Sequence, residues 1–337
     1  GGETVRTRNV SVVTLGQKNP NRTILLTERD SGSGGFCAEW VYWLNRLYFS
    51  DQMGISHCFN WIGSQFFVEE SIKNKNIFEY YFNQPYGLVV EDVKQSKNVI
   101  IDKNSTDYGY YDVFAPGRDD DYMITDDDFC KLAQMQKKYI HIEPMLKNEI
   151  ERDIAQIIGT EKVLAVHARG ADAQIHYANH PIPIGIDKYI EETEKSLKLI
   201  GANKVFLATD DNNILEAFID KYKENLIYYK DVERSDGVRM SCYGDVQREK
   251  HHYRLGKEII KDVYTLAACT GLVCSASYVS YMAKIVKMAS GQTFQTVNSI
   301  SSVKREKGMN LTDPLTIKKV ETLWNQELKS AGKGEWK

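Results

Sequence analysis

The segment that most constrains this chain is Lys162-Val-Leu-Ala-Val-His-Ala-Arg-Gly-Ala-Asp172, where an apolar run from Val163 to Val166 leads straight into a histidine, an arginine and an aspartate. An apolar run without polar alternation predicts a strand covered on both faces, as in the parallel sheet of an α/β fold. Polar groups just past the carboxyl end of such a strand lie at the crevice where open α/β sheets bind ligands. There Arg169 is a permanently charged fork suited to phosphate oxygens. The competing reading of the same residues is a structural Arg–Asp pair beside a capped turn.

The rest of the second half repeats the pattern. Strand 163–167 precedes a helix over about 186–200, and strand Lys204 to Ala208 precedes a helix that begins near Asn213. Strand Asn225 to Tyr229 precedes a helix from about Gly256 to Cys269, and strand Gly271 to Cys274 one from Tyr278 to Met288. Repeated strand–helix units predict a doubly wound parallel sheet. In that sheet the ends His167/Arg169/Asp172, Thr209/Asp210/Asp211 and Ser275/Ser277 emerge on one edge and converge on one ligand. Ser277 would add a hydroxyl and helix-start N–H groups, an arrangement suited to anions, although plain N-capping also accounts for it.

The first half opens with a strand over Arg22 to Thr27, a glycine-rich turn through Gly32, Gly34 and Gly35, and a helix with Trp40, Leu44, Leu47 and Tyr48 near the 3.6 period. Such glycines let backbone approach an anion closely, but the full dinucleotide fingerprint is absent. Between about 60 and 150 the pattern is mixed, with an Asn/Lys/Ser-rich stretch from Lys94 to Ser105 and acidic clusters at 119–121 and 126–128 that lack the glycine and glutamate of a calcium loop. A long amphipathic helix is expected from Phe129 to about Ile154, and a terminal helix from Pro314 to Lys329. These elements divide the chain into an N-terminal α/β domain (1–155), a Rossmann-like domain (156–300) and a C-terminal helix and tail (301–337).

At 337 residues, two domains are the reasonable expectation. A net charge of −3 without a basic stripe gives no footprint of a nucleic-acid partner. No apolar stretch approaches the ~20 residues that a membrane-spanning helix requires. The six cysteines lack metal-ligand spacing, and Cys269 and Cys274, in an apolar segment, read as free thiols of a reducing compartment. Four Asn-x-Ser/Thr tripeptides, at Asn9, Asn21, Asn104 and Asn310, point the other way. The chain begins Gly-Gly, so no leader is read from its start. A bacterial cytoplasmic location is expected first, with a trimmed Golgi lumenal domain as the alternative. Trp40, Trp43, Trp61, Tyr110 and Tyr111 are candidates for a sugar groove, with core packing the competing account of Trp40 and Trp43.

With these blocks in order, the chain resembles the GDP-fucose-dependent fucosyltransferases, most closely their α1,6 group. The resemblance rests on His167-Ala-Arg-Gly-Ala-Asp172, His180-Pro181 with Tyr189 downstream, Val205-Phe-Leu-Ala-Thr-Asp-Asp211, and Asp262 through Ser277. More loosely, it includes the turn at 32–36 and Tyr110 to Pro116. It implies a GT-B fold, with two Rossmann-like domains facing a cleft and a C-terminal helix packing back. It also implies an inverting, metal-independent transfer of fucose from GDP-fucose to a glycan hydroxyl. By the same resemblance Arg169 holds the pyrophosphate, His167 lies beside the nucleotide, Asp172 orders the loop, and Asp262 pairs with guanine N–H donors. Ser277 and Tyr278 fall at the phosphate-facing helix start, and Asp210 and Asp211 support Arg169.

The sequence departs from the family where a second arginine is expected, because Gly170 stands there, and an expected acidic residue before His180 is missing. His176 then becomes the candidate base, followed by His180 and Asp172. The departures keep two alternatives open: transfer of another GDP-linked sugar, and a nucleotide-sugar or glycan-binding relative without activity. The acceptor and the oligomeric state are not specified by these residues.

Overall fold

The computed structural model describes residues 11–32, 34–103, 126–170, 184–235 and 247–300. The expected C-terminal helix, Asp172, His176, His180, Tyr110 and Tyr111 lie outside the described residues. The chain divides into two compact units, one of residues 1–114, 127–150 and 247–259, the other of 115–126, 151–246 and 260–337.

The first unit is built on a parallel three-stranded sheet of order β2-β1-β3, with β1 at Ile24–Arg29, β2 at Ser56–Trp61 and β3 at Val99–Lys103. Helix α1, Phe36–Met53, connects β1 to β2; short helices α2 (Ile77–Tyr81) and α3 (Val90–Val93) lie between β2 and β3. Gly54 ends α1 in the left-handed conformation at φ 66°, which glycine adopts without a Cβ penalty. One face of the sheet packs Ile24, Leu26, Cys58 and Val99 against Leu88, Val90 and Val93. Phe36, Trp40, Trp43, Phe59, Trp61, Phe78 and Phe82 form a buried aromatic cluster with edge-on and tilted contacts. Core packing therefore accounts for Trp61 as well as Trp40 and Trp43.

Beneath α1 lies a buried polar network. Tyr42, Arg46 and Ser50 are spaced four residues apart and so share one helix face. Arg46 Nε donates to Asp102 at 3.1 Å, with both side chains essentially unexposed at 1% and 0%. The Tyr42 hydroxyl also donates to Asp102, and His57 bridges Thr27 Oγ1 at 2.7 Å and Ser50 Oγ at 2.9 Å. Burial, reinforced by the Arg46 charge, lowers the His57 pKa to about 3, so the imidazole is neutral.

Strand β2 is a sheet edge, and side-chain amides cover it. Gln84 Oε1 accepts from Phe59 N–H and its Nε2 donates to Phe59 O, while Asn76 Oδ1 accepts from Trp61 N–H. Glu79 then accepts from both amides at 2.9 Å. These bonds occupy backbone groups that an uncovered edge would offer to another strand.

The second unit has a five-stranded parallel sheet of order β6-β5-β4-β7-β8: β4 at Val163–Ala168, β5 at Lys204–Thr209, β6 at Leu226–Ile227, β7 at Gly271–Ser275 and β8 at Thr296–Ile300. The chain winds outward from β4 in one direction and then the other, so the topological switch lies between β4 and β7. Leu164, Val166 and Ala168 pack on one side with residues of α6 (Ile186–Ile200) and α7 (Asn212–Tyr222). Val163 and Ala165 pack on the other with Leu266 of α8 (His251–Ala268) and Ala283 of α9 (Tyr278–Ala289). The strand is covered on both faces, as its apolar run requires. The expectation of two Rossmann-like α/β bodies with parallel sheets holds.

Three sequence expectations are corrected. The helix expected from Phe129 to Ile154 is two helices, α4 (Asp126–Tyr139) and α5 (Pro144–Ile158). Pro144 cannot extend a helix from its amino side but suits the first turn of a new one, where Glu143 accepts from the N–H groups of Met145 and Leu146. Helix α8 begins five residues before Gly256, which is an interior contact: a Cβ there would lie 2.2 Å from the Tyr81 hydroxyl oxygen. Strand β6 has only two residues, Leu226–Ile227, and a 3-10 turn over Lys223–Asn225 takes the first residue of the expected strand.

Candidate active site

The carboxyl edge of the five-stranded sheet gathers most of the sequence-selected residues. His167 lies near the end of β4 and is buried, with Nδ1 3.4 Å from Ser277 Oγ. Burial and then the neighbouring Arg169 charge lower its pKa to about 4, so it is neutral near pH 7 and has one donor and one acceptor nitrogen. Arg169 is the first residue beyond β4 and is half-buried. The Tyr189 hydroxyl, near the Arg169 backbone, donates to Ser275 Oγ at 2.9 Å. Tyr189 thereby ties α6 to the end of β7 beside β4.

The neighbouring turn fixes the same loop from the other side. Asp210 Oδ1 accepts the Gly170 N–H at 3.0 Å. Thr209 Oγ1 donates to Ala168 O at 2.6 Å, joining the ends of β5 and β4. Asp211 is the N-cap of α7, its Oδ1 accepting from Asn213 N–H at 2.7 Å. A Cβ at position 170 would lie 2.6 Å from Asp211 Oδ2 and 2.6 Å from Ile214 Cδ1. Gly170 is thus required by close packing against the start of α7.

At the third strand end Ser277 caps α9 reciprocally: its Oγ accepts from Ser280 N–H at 3.1 Å, and Ser280 Oγ accepts from Ser277 N–H at 3.2 Å. This is a capping box with serine in the usual glutamate position. Tyr278 is the first residue of the helix and is half-buried. Asp262 is half-buried on α8, within electrostatic reach of Tyr229, whose hydroxyl lies 2.9 Å from Thr265 Oγ1.

Gly32 and Gly34 belong to the first unit. Gly32 has φ 154°, and a Cβ on either glycine would lie 3.8 Å from Glu39 Oε1. Glu39 forms a two-bond ion pair with Arg29 at 2.6 and 3.1 Å. The turn therefore stands over a paired carboxylate close to the α1 start.

Sequence reasoning placed Tyr189 in a family block without giving it a job, and it passed over the steric role of Gly170. A tyrosine on the helix face that also carries Leu197 and Ile200 was the available signal for the first, since a buried hydroxyl needs a partner. Among the described residues, no group of three or more His, Cys, Asp or Glu side chains is arranged to hold a metal ion. Cys37, Cys58, Cys130, Cys269 and Cys274 are free thiols. Among the described residues no helix is long and apolar enough to cross a membrane.

No family model and no curated protein matches the chain. Among solved structures, it is similar to NodZ alpha-1,6-fucosyltransferase co-crystallized with GDP, at 12% identity and a TM-score of 0.49 over 79% of this chain and 93% of that one. Fucosyltransferase NodZ from Bradyrhizobium gives 13% and 0.46 over 79% and 94%. POFUT1 in its apo form gives 13% and 0.42 over 84% and 99%.

Proposed function

We propose that the chain is a glycosyltransferase that binds a GDP-linked sugar, GDP-fucose in the first instance, and moves the sugar to a glycan hydroxyl with inversion. The observation that carries this reading is the fixed presentation of Arg169 at the switch point of a parallel sheet. Asp210 holds the backbone at the next residue, Gly170, and a neutral His167 lies two residues before Arg169. Of the residues that carry the resemblance, His167, Arg169, Tyr189, Asp210 and Ser277 lie at or bond to this edge.

In this reading Arg169 pairs with the diphosphate and stabilises the negative charge that grows on it as the glycosidic bond opens; a donor of that kind is typically worth ~10²–10³ in rate. His167 and the helix start at Ser277 and Tyr278 add hydrogen-bonding groups at the same edge. Asp211 keeps α7 and the Arg169 loop in register. Asp262 reads the guanine N–H donors. His176 is the base that takes the acceptor proton, with Asp172 ordering its loop. Residues 1–155, with Gly32 and Gly34, form the acceptor-side domain. No metal takes part, and full turnover in EDTA is the expected result.

Calorimetry with GDP, UDP and ADP tests the reading. The unaltered chain is expected to prefer GDP, and Asp262→Ala to weaken GDP far more than UDP. Equal weakening of both, or no GDP binding by the unaltered chain, would refute it. Gly170 favours one second reading, a different GDP-linked sugar, and a donor panel with product mass spectrometry separates the two.

A further inference from the structure

The segment after β6 is hooked onto the same turn that holds Gly170. Ser235 N–H donates to Asp210 O at 2.8 Å, and Asn212 N–H donates to Ser235 O at 2.7 Å. Immediately before it, Arg234 Nε donates to Thr209 O at 3.1 Å and Nη2 donates to Tyr229 O at 2.8 Å. Its guanidinium carbon stands 5.7 Å from the centroid of the Tyr228 ring. The guanidinium plane is therefore fixed by carbonyls just at and beyond the carboxyl ends of β5 and β6. One turn, 209–211, carries Arg169-Gly170 on one flank and Arg234-Ser235 on the other.

Sterics explain why a second cation is not next to Arg169. Any side chain at position 170 meets Asp211 and Ile214 at about 2.6 Å, far inside van der Waals contact. A cation that joins Arg169 at this edge has to arrive on another segment, and the hooked 234–235 pair brings one. Half-buried and pinned by two carbonyls, Arg234 loses little side-chain freedom when it meets a ligand.

We propose that Arg234 is the second guanidinium of the diphosphate site, recruited from the post-β6 segment because Gly170 must remain a glycine. The assignment rests on the reading of this edge as a nucleoside-diphosphate site. Two planar forks on opposite flanks of one turn suit a diphosphate, whose charge is spread over two phosphoryl groups, better than they suit a monophosphate. The competing role is that of a strut, with Arg234 only tying β5 to β6 through Thr209 O and Tyr229 O.

Charge and strut separate by substitution. R234Q keeps an amide donor for a carbonyl but removes the charge, whereas R234K keeps the charge and loses the fork. Binding of GDP and GMP is measured by calorimetry for the unaltered chain, R234Q, R234K and R169A, with melting temperature as the check on folding. R234Q is expected to lose ~10- to 100-fold in GDP affinity, as a charge-assisted hydrogen bond implies, with a smaller loss for GMP and with R234K closer to the unaltered chain. GDP binding by R234Q within about twofold of the unaltered chain, or equal factors for GDP and GMP, would overturn the assignment. Should R234Q fail to fold, R234K decides: a larger loss for GDP than for GMP supports the assignment, and equal losses overturn it. If R169A loses GDP while R234Q keeps it, only the Arg234 assignment falls. If the unaltered chain binds no GDP, the donor reading falls and takes the assignment with it.

Discussion

Under α1 the three-stranded sheet holds Thr27, His57 and Asp102 within its strands, and Arg46 reaches down to them from the helix. Strand β4 of the five-stranded sheet is apolar from Val163 to Val166 and places Arg169 just past its end. Both sheets are parallel and both are buried, so the difference lies in where the charge is kept. In the first unit charged groups face one another across a closed interface and satisfy each other. In the second they gather at an edge, held by Tyr189, Asp210 and Thr209. A buried ion pair with its hydrogen bonds closed serves packing and specificity, whereas a charge anchored through its backbone at a strand end is placed to meet a ligand.

The largest expected effect breaks the closed network. Arg46→Met removes one partner and leaves the Asp102 carboxylate buried, a change that costs about 3–5 kcal/mol when a buried pair is opened. Urea unfolding followed by tryptophan fluorescence reads it, because Trp40, Trp43 and Trp61 lie in the same unit. Adding Asp102→Asn removes the stranded charge and is expected to recover a large part of the loss. A double variant no better than the single one would show that hydrogen-bond geometry, not charge, dominates this core.

The second effect sharpens the comparison through pH, since His57 in the first unit and His167 in the second are both buried and neutral. His57 is held near 3 and His167 near 4, against about 6.5 in an unfolded chain. Between these values the unfolded state binds more protons, so stability falls as pH drops below about 6.5 and is fully present above it. At pH 5 each histidine is expected to cost about 2 kcal/mol relative to pH 7.5. GDP at saturating concentration is expected to slow the acid loss of the unit that contains His167 and leave the other unchanged. The unit containing His57 is followed by its tryptophans, and the other by hydrogen exchange of β4 amides. Equal protection of both units would remove the functional distinction between the two histidines.

The same contrast explains what was legible in the sequence. Val163 to Val166, Lys204 to Ala208 and Gly271 to Cys274 announced their strands because both faces meet apolar partners, and the helices between them followed within a few residues. Strands β2 and β3 were missed because their sequences, Ser-His-Cys-Phe-Asn-Trp and Val-Ile-Ile-Asp-Lys, carry polar residues whose burial is compensated only by groups distant in the chain. Asp102 falls in the Asn/Lys/Ser-rich stretch from Lys94 to Ser105, and only the fold brings Arg46, Tyr42 and Thr27 to it. At the candidate site the strand-end residues could be selected from pattern, but Tyr189 and Arg234 could not be assigned their roles. Their partners, Ser275 and Thr209, are 86 and 25 residues away and meet them only through the sheet.

The smallest effect tests how tightly the edge is set. Gly170→Ala puts a methyl group where Asp211 and Ile214 already stand, at 2.6 Å from each. Overpacking of that kind typically costs about 1–3 kcal/mol. The Gly170 N–H bond to Asp210 is then expected to lengthen, and Arg169 to shift with it. The variant should therefore keep most of its thermal stability and lose GDP affinity out of proportion. That outcome would mark Gly170 as a residue that positions Arg169. A melting temperature lowered in step with affinity would instead make position 170 a packing site like those under α1, and the division between a closed core and a ligand-facing edge would no longer hold at this turn.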